Sequence, residues 1–294
     1  MARHQGPDRF LQVGGVKRSE RLGSPEGDLR GPRPSITGRP PKVRPGGVAL
    51  RVHAGHRIGV GEAAISAALL RSLRPGPPRL EVLGEVSPRP LTVGLVSGSF
   101  DPMTVAHVAL ARALRERGAD PVLLVYAART MPKGAGAEPP LLTPERRLAS
   151  LAAWSDHHPG FRAAVCSHGL YADQAEAAGA AFPGTAIVVG LGSDKVLQLF
   201  DPAWYEDREA ALDRLFRRAG VAYALRAGQE AEVAGVLAAN PAWSDRVQRL
   251  DLPPEVGEIS SAAVRRRLRR GEDVRWLVPA EVLAFLSGGR SAGR

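Results

Sequence analysis

From Leu91 onward, short apolar runs alternate with amphipathic segments, and this alternation limits the chain to a small set of folds. LTVGLVSG, PVLLVY, FRAAVCS, TAIVVGLG, VAYALR and VQRLDL are the runs. Between them lie VAHVALARALRERG, TPERRLASLAAW, ADQAEAAGAAF, DREAALDRLFRRAG and EVAGVLAA, which read as helices. The first of these closes on Gly118, and the second opens on Thr143-Pro144, a favoured helix start. Strands alternating with helices imply βαβ units and a buried parallel sheet. Right-handed crossovers then predict an α/β, doubly wound, Rossmann-like domain over residues 91–288. Ligands on such a sheet sit at the carboxyl ends of the strands, where the strand order reverses.

The flanks differ in character. Residues 1–47 contain 16 Gly or Pro and no apolar period, so they cannot bury enough surface to offset chain entropy and read as a disordered tail. Residues 48–90 read as a small appendage, with possible strands at VALRV and LEVLGEV and a helix at GEAAISAALLRSL; residues 289–294 are a short tail. The chain carries a net charge of +10, but residues 1–47 alone hold 10 Lys/Arg against 4 Asp/Glu. With so much of the excess in the tail, nucleic acid is not the expected main partner. No apolar run approaches the roughly 18–20 residues that span a bilayer, so no membrane partner is expected. Cys166 is the sole cysteine, which fits a reducing compartment and hence the cytoplasm.

Two stretches carry chemistry. SGSFDPMTVAH, residues 97–107, follows the first core strand and runs into a helix. Free backbone N–H groups and a positive helix end at such a junction suit phosphate. Gly98 allows close backbone approach, Pro102 fixes the turn, and His107 in the first helical turn is placed to donate to a phosphate oxygen. Further on, ISSAAVRRRLRRG places Ser260 and Ser261 at a helix start with no acidic residue in its first turn. Their hydroxyls and the free N–H groups form a second anion site, and Arg265 one turn along offers forked donors to the same phosphates. Arg266, Arg269 and Arg270 read as a solvated surface. HAGH at residues 53–56 supplies His53 and His56, but it lacks a Phe-Asp-Pro turn and a third metal ligand.

These motifs resemble those of the nicotinate/nicotinamide mononucleotide adenylyltransferases within the cytidylyltransferase-like nucleotidyltransferase superfamily. GSFDPMTVAH is similar to the (H/T)xGH signature, with Thr104 at its first polar position and Ala106 in place of its glycine. ISSxxxR followed by RLxxGxxxxxLVPxxV is similar to the carboxyl-terminal signature, with Ala262 where the family has Thr. RTMPKGAGAEPPLLTPERRL resembles the family's Pro-x-Lys loop and the helix after it, placing Lys133 and Arg147. VVGLGSDKVLQLFDPAWY resembles its Gly-x-Asp turn and Trp-Tyr pair, placing Asp194, Trp204 and Tyr205.

The resemblance implies an ATP-dependent adenylyltransferase of NAD biosynthesis that moves the adenylyl group onto the phosphate of a pyridine mononucleotide. It implies that His107, Thr104 and Arg265 act on the phosphates, and that Gly98, Ser99, Phe100, Asp101, Ser260, Ser261 and Asp194 bind ATP. Lys133, Arg147, Trp204 and Tyr205 would bind the acceptor. Mg²⁺ would accompany ATP, held through phosphate oxygens and water, and no protein metal site is expected. Partners are then small molecules. Two other readings stay open: another phosphate acceptor such as phosphopantetheine, favoured by Thr104, and a non-catalytic nucleotide sensor, motivated by Ala106 and Ala262.

Overall fold

The apolar runs become strands of one sheet: β1 (Leu80–Val82), β2 (Thr92–Gly98), β3 (Val122–Ala127), β4 (Phe161–Cys166), β5 (Ala186–Gly192), β6 (Ala219–Ala224) and β7 (Val247–Leu250). The helices are α1 (Glu62–Ser72), α2 (Val105–Glu116), α3 (Pro144–Asp156), α4 (Tyr171–Ala181), α5 (Ser193–Phe200), α6 (Arg208–Arg218), α7 (Glu230–Ala239), α8 (Pro241–Ser244), α9 (Ser261–Arg269) and α10 (Ala280–Leu286). This computed structural model describes residues 61–87, 89–129 and 139–286. The tail expected at 1–47, the His53 and His56 stretch, Lys133 and residues 289–294 lie outside them.

Strand order is β1-β4-β3-β2-β5-β6-β7, and every pairing is parallel except β1 on β4. The chain winds outward from β2 to β4, returns across the sheet, and winds outward again from β5 to β7. Order therefore reverses between β2 and β5, the place where doubly wound sheets open a crevice for ligand. Side chains alternate between the two faces. Val96, Leu124 and Tyr126 meet α1, α2, α3, α9 and α10 in one apolar layer. Val93, Leu95, Leu123 and Val125 meet α4, α5, α6 and α7 in the other.

The segment read from sequence as an appendage contributes α1 and β1 to this sheet. Leu80 to Val82 pair antiparallel with Ala164 to Cys166, and α1 buries Ile65, Ala68 and Leu69 in the layer that also holds α3.

Local chemistry sets the helix ends near the switch point. α2 stops in a hydrogen-bonded αL cap: Ala119 N–H donates to the Leu114 carbonyl and Gly118 N–H to that of Arg115, with Gly118 at φ 92°. α3 starts as Thr-Pro predicts, with Thr143 accepting from Arg146 N–H. α2 also lies close over β5: a Cβ at Gly190 would stand 2.7 Å from Leu114 Cδ1. Glycine at that position lets the helix bearing His107 reach the sheet.

Candidate active site

At the end of β2 the chain turns sharply through Ser99, Phe100 and Asp101 into α2. Phe100 is fully buried at φ 44°, a conformation that non-glycine residues rarely take. Its ring lies 5.0 Å from the His107 ring and under Gly98, where a Cβ would meet it at 3.4 Å. Thr104 caps α2. Its backbone N–H donates to His107 Nδ1 at 3.1 Å, and its hydroxyl lies 2.7 Å from the same nitrogen. A nitrogen that accepts from a backbone N–H carries no proton, so in neutral His107 the proton sits on Nε2. Burial is the main reason the imidazolium is disfavoured, and nearby Arg226 adds to it against the pull of Asp194; together they lower the His107 pKa to about 4. His107 is therefore a neutral ring offering one N–H to the cleft. Thr104 is fully buried, so its hydroxyl serves His107 and does not face the cleft.

Asp101 turns inward, where it is 1% exposed. Its carboxylate accepts from Leu142 N–H at 2.8 Å and Leu141 N–H at 3.1 Å. Arg147 and Arg265 approach it at 3.4 and 3.5 Å. Both arginines are further committed to this knot. Arg147 Nε donates to the Leu142 carbonyl, and Arg265 Nη1 to the Asp101 carbonyl at 2.7 Å. Asp101, Arg147 and Arg265 thus join the first motif, α3 and α9 beneath the cleft, and none of the three lines it.

The opposite wall comes from α9 and the β5–α5 junction. Ser260 caps α9 by accepting from Ala263 N–H at 3.2 Å, which leaves its own O–H to donate. Ser261 spends its O–H on the Pro102 carbonyl at 2.7 Å, tying the two motifs together. As first residues of a helix, Ser261 and Ala262 have N–H groups with no intrahelical acceptor. Asp194 sits in the first turn of α5 and accepts from Arg226 Nε at 3.0 Å.

Two cavities meet along Ser97–Ser99 and Asp194–Lys195. The smaller, about 240 Å³, is lined by His107, Ser260, Ser261, Arg226 and the glycines of β5. The larger, about 950 Å³, is lined by Tyr171, Phe200, Trp204, Tyr205, Glu232 and Asn240. Trp204 and Tyr205 both line it. The Tyr205 hydroxyl donates to the Leu199 carbonyl at 2.8 Å, and burial pushes its pKa up to about 12, so it is a neutral wall. Burial likewise raises the Tyr171 pKa. Tyr171 and Arg226 are missed by the motifs. Their signal is position: Arg226 follows the carboxyl end of β6, and Tyr171 opens the helix after β4. Among the described residues no cluster of three metal-ligating side chains occurs, and no helix is long and apolar enough to cross a membrane.

The profile of the cytidylyltransferase-like family matches residues 95–267, which include the first motif, the start of the second through Arg265, and both cavity walls. The chain belongs to that family. It is a nucleotidyltransferase, and its curated relatives are nicotinate-nucleotide adenylyltransferases by name. A protein of Chromohalobacter salexigens, named "Probable nicotinate-nucleotide adenylyltransferase", is 31% identical over 213 residues, covering 66% of this chain and 92% of the relative. A Salinibacter ruber protein of the same name is 31% identical over 204 residues, covering 67% and 95%. Among solved structures, a Plasmodium falciparum nicotinic acid mononucleotide adenylyltransferase complexed with APC covers 66% of this chain and 94% of that one, at 13% identity and TM-score 0.46. The family match begins at residue 95, after α1 and β1.

Proposed function

We propose that the chain transfers the adenylyl group of ATP to the phosphate of nicotinate or nicotinamide mononucleotide and releases pyrophosphate. The observation that carries this reading is the pair of cavities joined at the switch point, one lined by phosphate donors and the other by aromatic rings. An acceptor phosphate oxygen attacks the α-phosphorus in line, forming one P–O bond as the bond to the β-phosphate oxygen breaks. The attacking oxygen is already anionic, so no base is needed. Catalysis is then positioning and charge stabilisation.

In this reading His107 Nε2–H, the Ser260 hydroxyl and the free N–H groups of α9 donate to the phosphates. Thr104 acts through His107, and Ser261 holds the two motifs together. Gly98, Ser99 and Phe100 shape the floor, with Asp101 anchoring it from below. Arg265 would reach a phosphate only by leaving Asp101. Asp194 accepts from ribose hydroxyls. Trp204, Tyr205 and Tyr171 receive the pyridine ring, whose electron-poor face suits an aromatic wall. Lys133 neutralises phosphate charge, and Arg147 supports the floor by donating from Nη1 to the Ser99 carbonyl. Mg²⁺ would enter with ATP and be held through phosphate oxygens and water, offsetting the charge of the polyphosphate. The names of the relatives and the aromatic cavity favour the pyridine acceptor over phosphopantetheine.

The test is pyrophosphate release from ATP and Mg²⁺ with nicotinate mononucleotide, nicotinamide mononucleotide and phosphopantetheine supplied separately. Release with a pyridine mononucleotide alone is the expected result, and which one works decides acid against amide. ATP binding without release for any of the three would point to another acceptor or to nucleotide sensing.

A further inference from the structure

Of the three arginines at this site, two are spent on Asp101: the Arg147 side chain is 8% exposed and that of Arg265 is 12% exposed. Arg226 differs. It stands just beyond the carboxyl end of β6 and lines the smaller cavity with His107, Ser260 and Ser261. Its backbone is fixed: Arg226 N–H donates to Ser193 Oγ at 2.9 Å, and Ser193 donates in turn to Gln229 Oε1 at 2.6 Å. Its side chain is steered by one bond, Nε to Asp194 Oδ1 at 3.0 Å. Among the described residues its Nη groups have no protein acceptor in hydrogen-bonding range. They form the outer edge of the guanidinium fork, the edge that meets two phosphate oxygens at once.

We propose that Arg226 is the guanidinium that binds the polyphosphate of the nucleotide, held in place by Asp194. This rests on the reading of the smaller cavity as the ATP site. Asp194 lies on the wall shared by both cavities, so it orients Arg226 while facing the ribose. The pair is only partly buried, at 34% and 39% side-chain exposure, so the guanidinium can shift toward a ligand without stranding a buried carboxylate. The lowered pKa of His107 is consistent with a guanidinium close to the imidazole. Arg226 would then supply the positive charge that neutral His107 lacks.

The test is equilibrium binding of ATP, ADP and adenosine to the full chain, comparing wild type with Arg226→Gln and Arg226→Lys. A bond between charged partners of this kind is worth about 10- to 100-fold in binding. Arg226→Gln is expected to weaken ATP and ADP by that factor and adenosine by less than about threefold; Arg226→Lys, which keeps the charge but not the fork, should recover part of the loss. Unchanged thermal unfolding of ligand-free protein shows that each variant is folded. If Arg226→Gln fails to fold, the comparison of Arg226→Lys with wild type decides, with ATP weakened and adenosine not. Equal ATP binding by wild type and the folded variants overturns the role of Arg226 and leaves adenylyl transfer standing. Wild type that binds no ATP overturns both.

Discussion

His107 shows how two local bonds set the chemistry of one ring. The Thr104 backbone takes Nδ1, so Nε2–H is the single donor toward the cleft. If His107 donates to the phosphates as proposed, His107→Ala is expected to cut kcat/KM by about 10²–10³-fold. Thr104→Val keeps the backbone bond and loses only the hydroxyl, so a loss of about fivefold to tenfold is expected, read from the same steady-state assay. Protonation gives a second check. Folded His107 has its pKa lowered to about 4 from 6.5. Between these values the unfolded chain holds a proton that the folded chain does not, so stability declines as pH falls from 6.5 toward 4. In an NMR titration the His107 ring should remain neutral from pH 8 to pH 5; a midpoint near 6.5 would contradict the buried, acceptor-bound geometry. The positions of His107 and Ser260 at helix starts were readable in sequence because turns and caps are local patterns. The position of Arg226 was not, because a single arginine after a strand has no local pattern, and only the sheet brings it to the cavity that His107 lines.

At the scale of elements, Asp101 ties several backbone segments together. One carboxylate gathers the β2–α2 turn, the residues before α3, α3 itself and α9. Asp101→Ala would strand two mostly buried guanidiniums and two backbone N–H groups, and is expected to lower unfolding free energy by about 3–5 kcal/mol in chemical denaturation. Asp101→Asn keeps acceptor capacity and should cost less. The contact of α2 with β5 gives a test at another junction. Gly190→Ala would press a methyl on Leu114, which is itself buried, and overpacking of this kind costs about 1–3 kcal/mol. The strand and helix order was legible because period and punctuation are local. The inward turn of Arg147 and Arg265 was not, because the same guanidinium suits a phosphate or a buried carboxylate. Which one it meets depends on elements far apart in sequence.

In the whole molecule the sheet runs past the residues of the family match at one edge. The family match starts at residue 95, yet the sheet starts with β1, and without it β4 would be the outer strand. An uncovered β4 would present unpaired N–H and C=O groups, the hazard that edge strands carry. α1 seals the adjoining face, with Ile65 and Leu69 in the layer that also holds Trp154 of α3. Sequence did not reveal this because a three-residue strand has too little pattern to show its partner; β1 finds β4 only through an antiparallel register with residues more than eighty positions away. A chain that begins at Leu91 would lose Ile65, Leu69, Leu80 and Val82 from the core. Each buried aliphatic side chain contributes about 1.5–3 kcal/mol, so the shortened chain is expected to be less stable by several kcal/mol and to self-associate through β4. Thermal unfolding and sedimentation of the two forms read both effects. A chain starting at residue 61 keeps α1 and β1 and should unfold with the full chain. If the chain starting at Leu91 matched them in midpoint and in sedimentation, α1 and β1 would be an ornament on a domain that closes without them. If it falls as expected, this domain has its edge at β1.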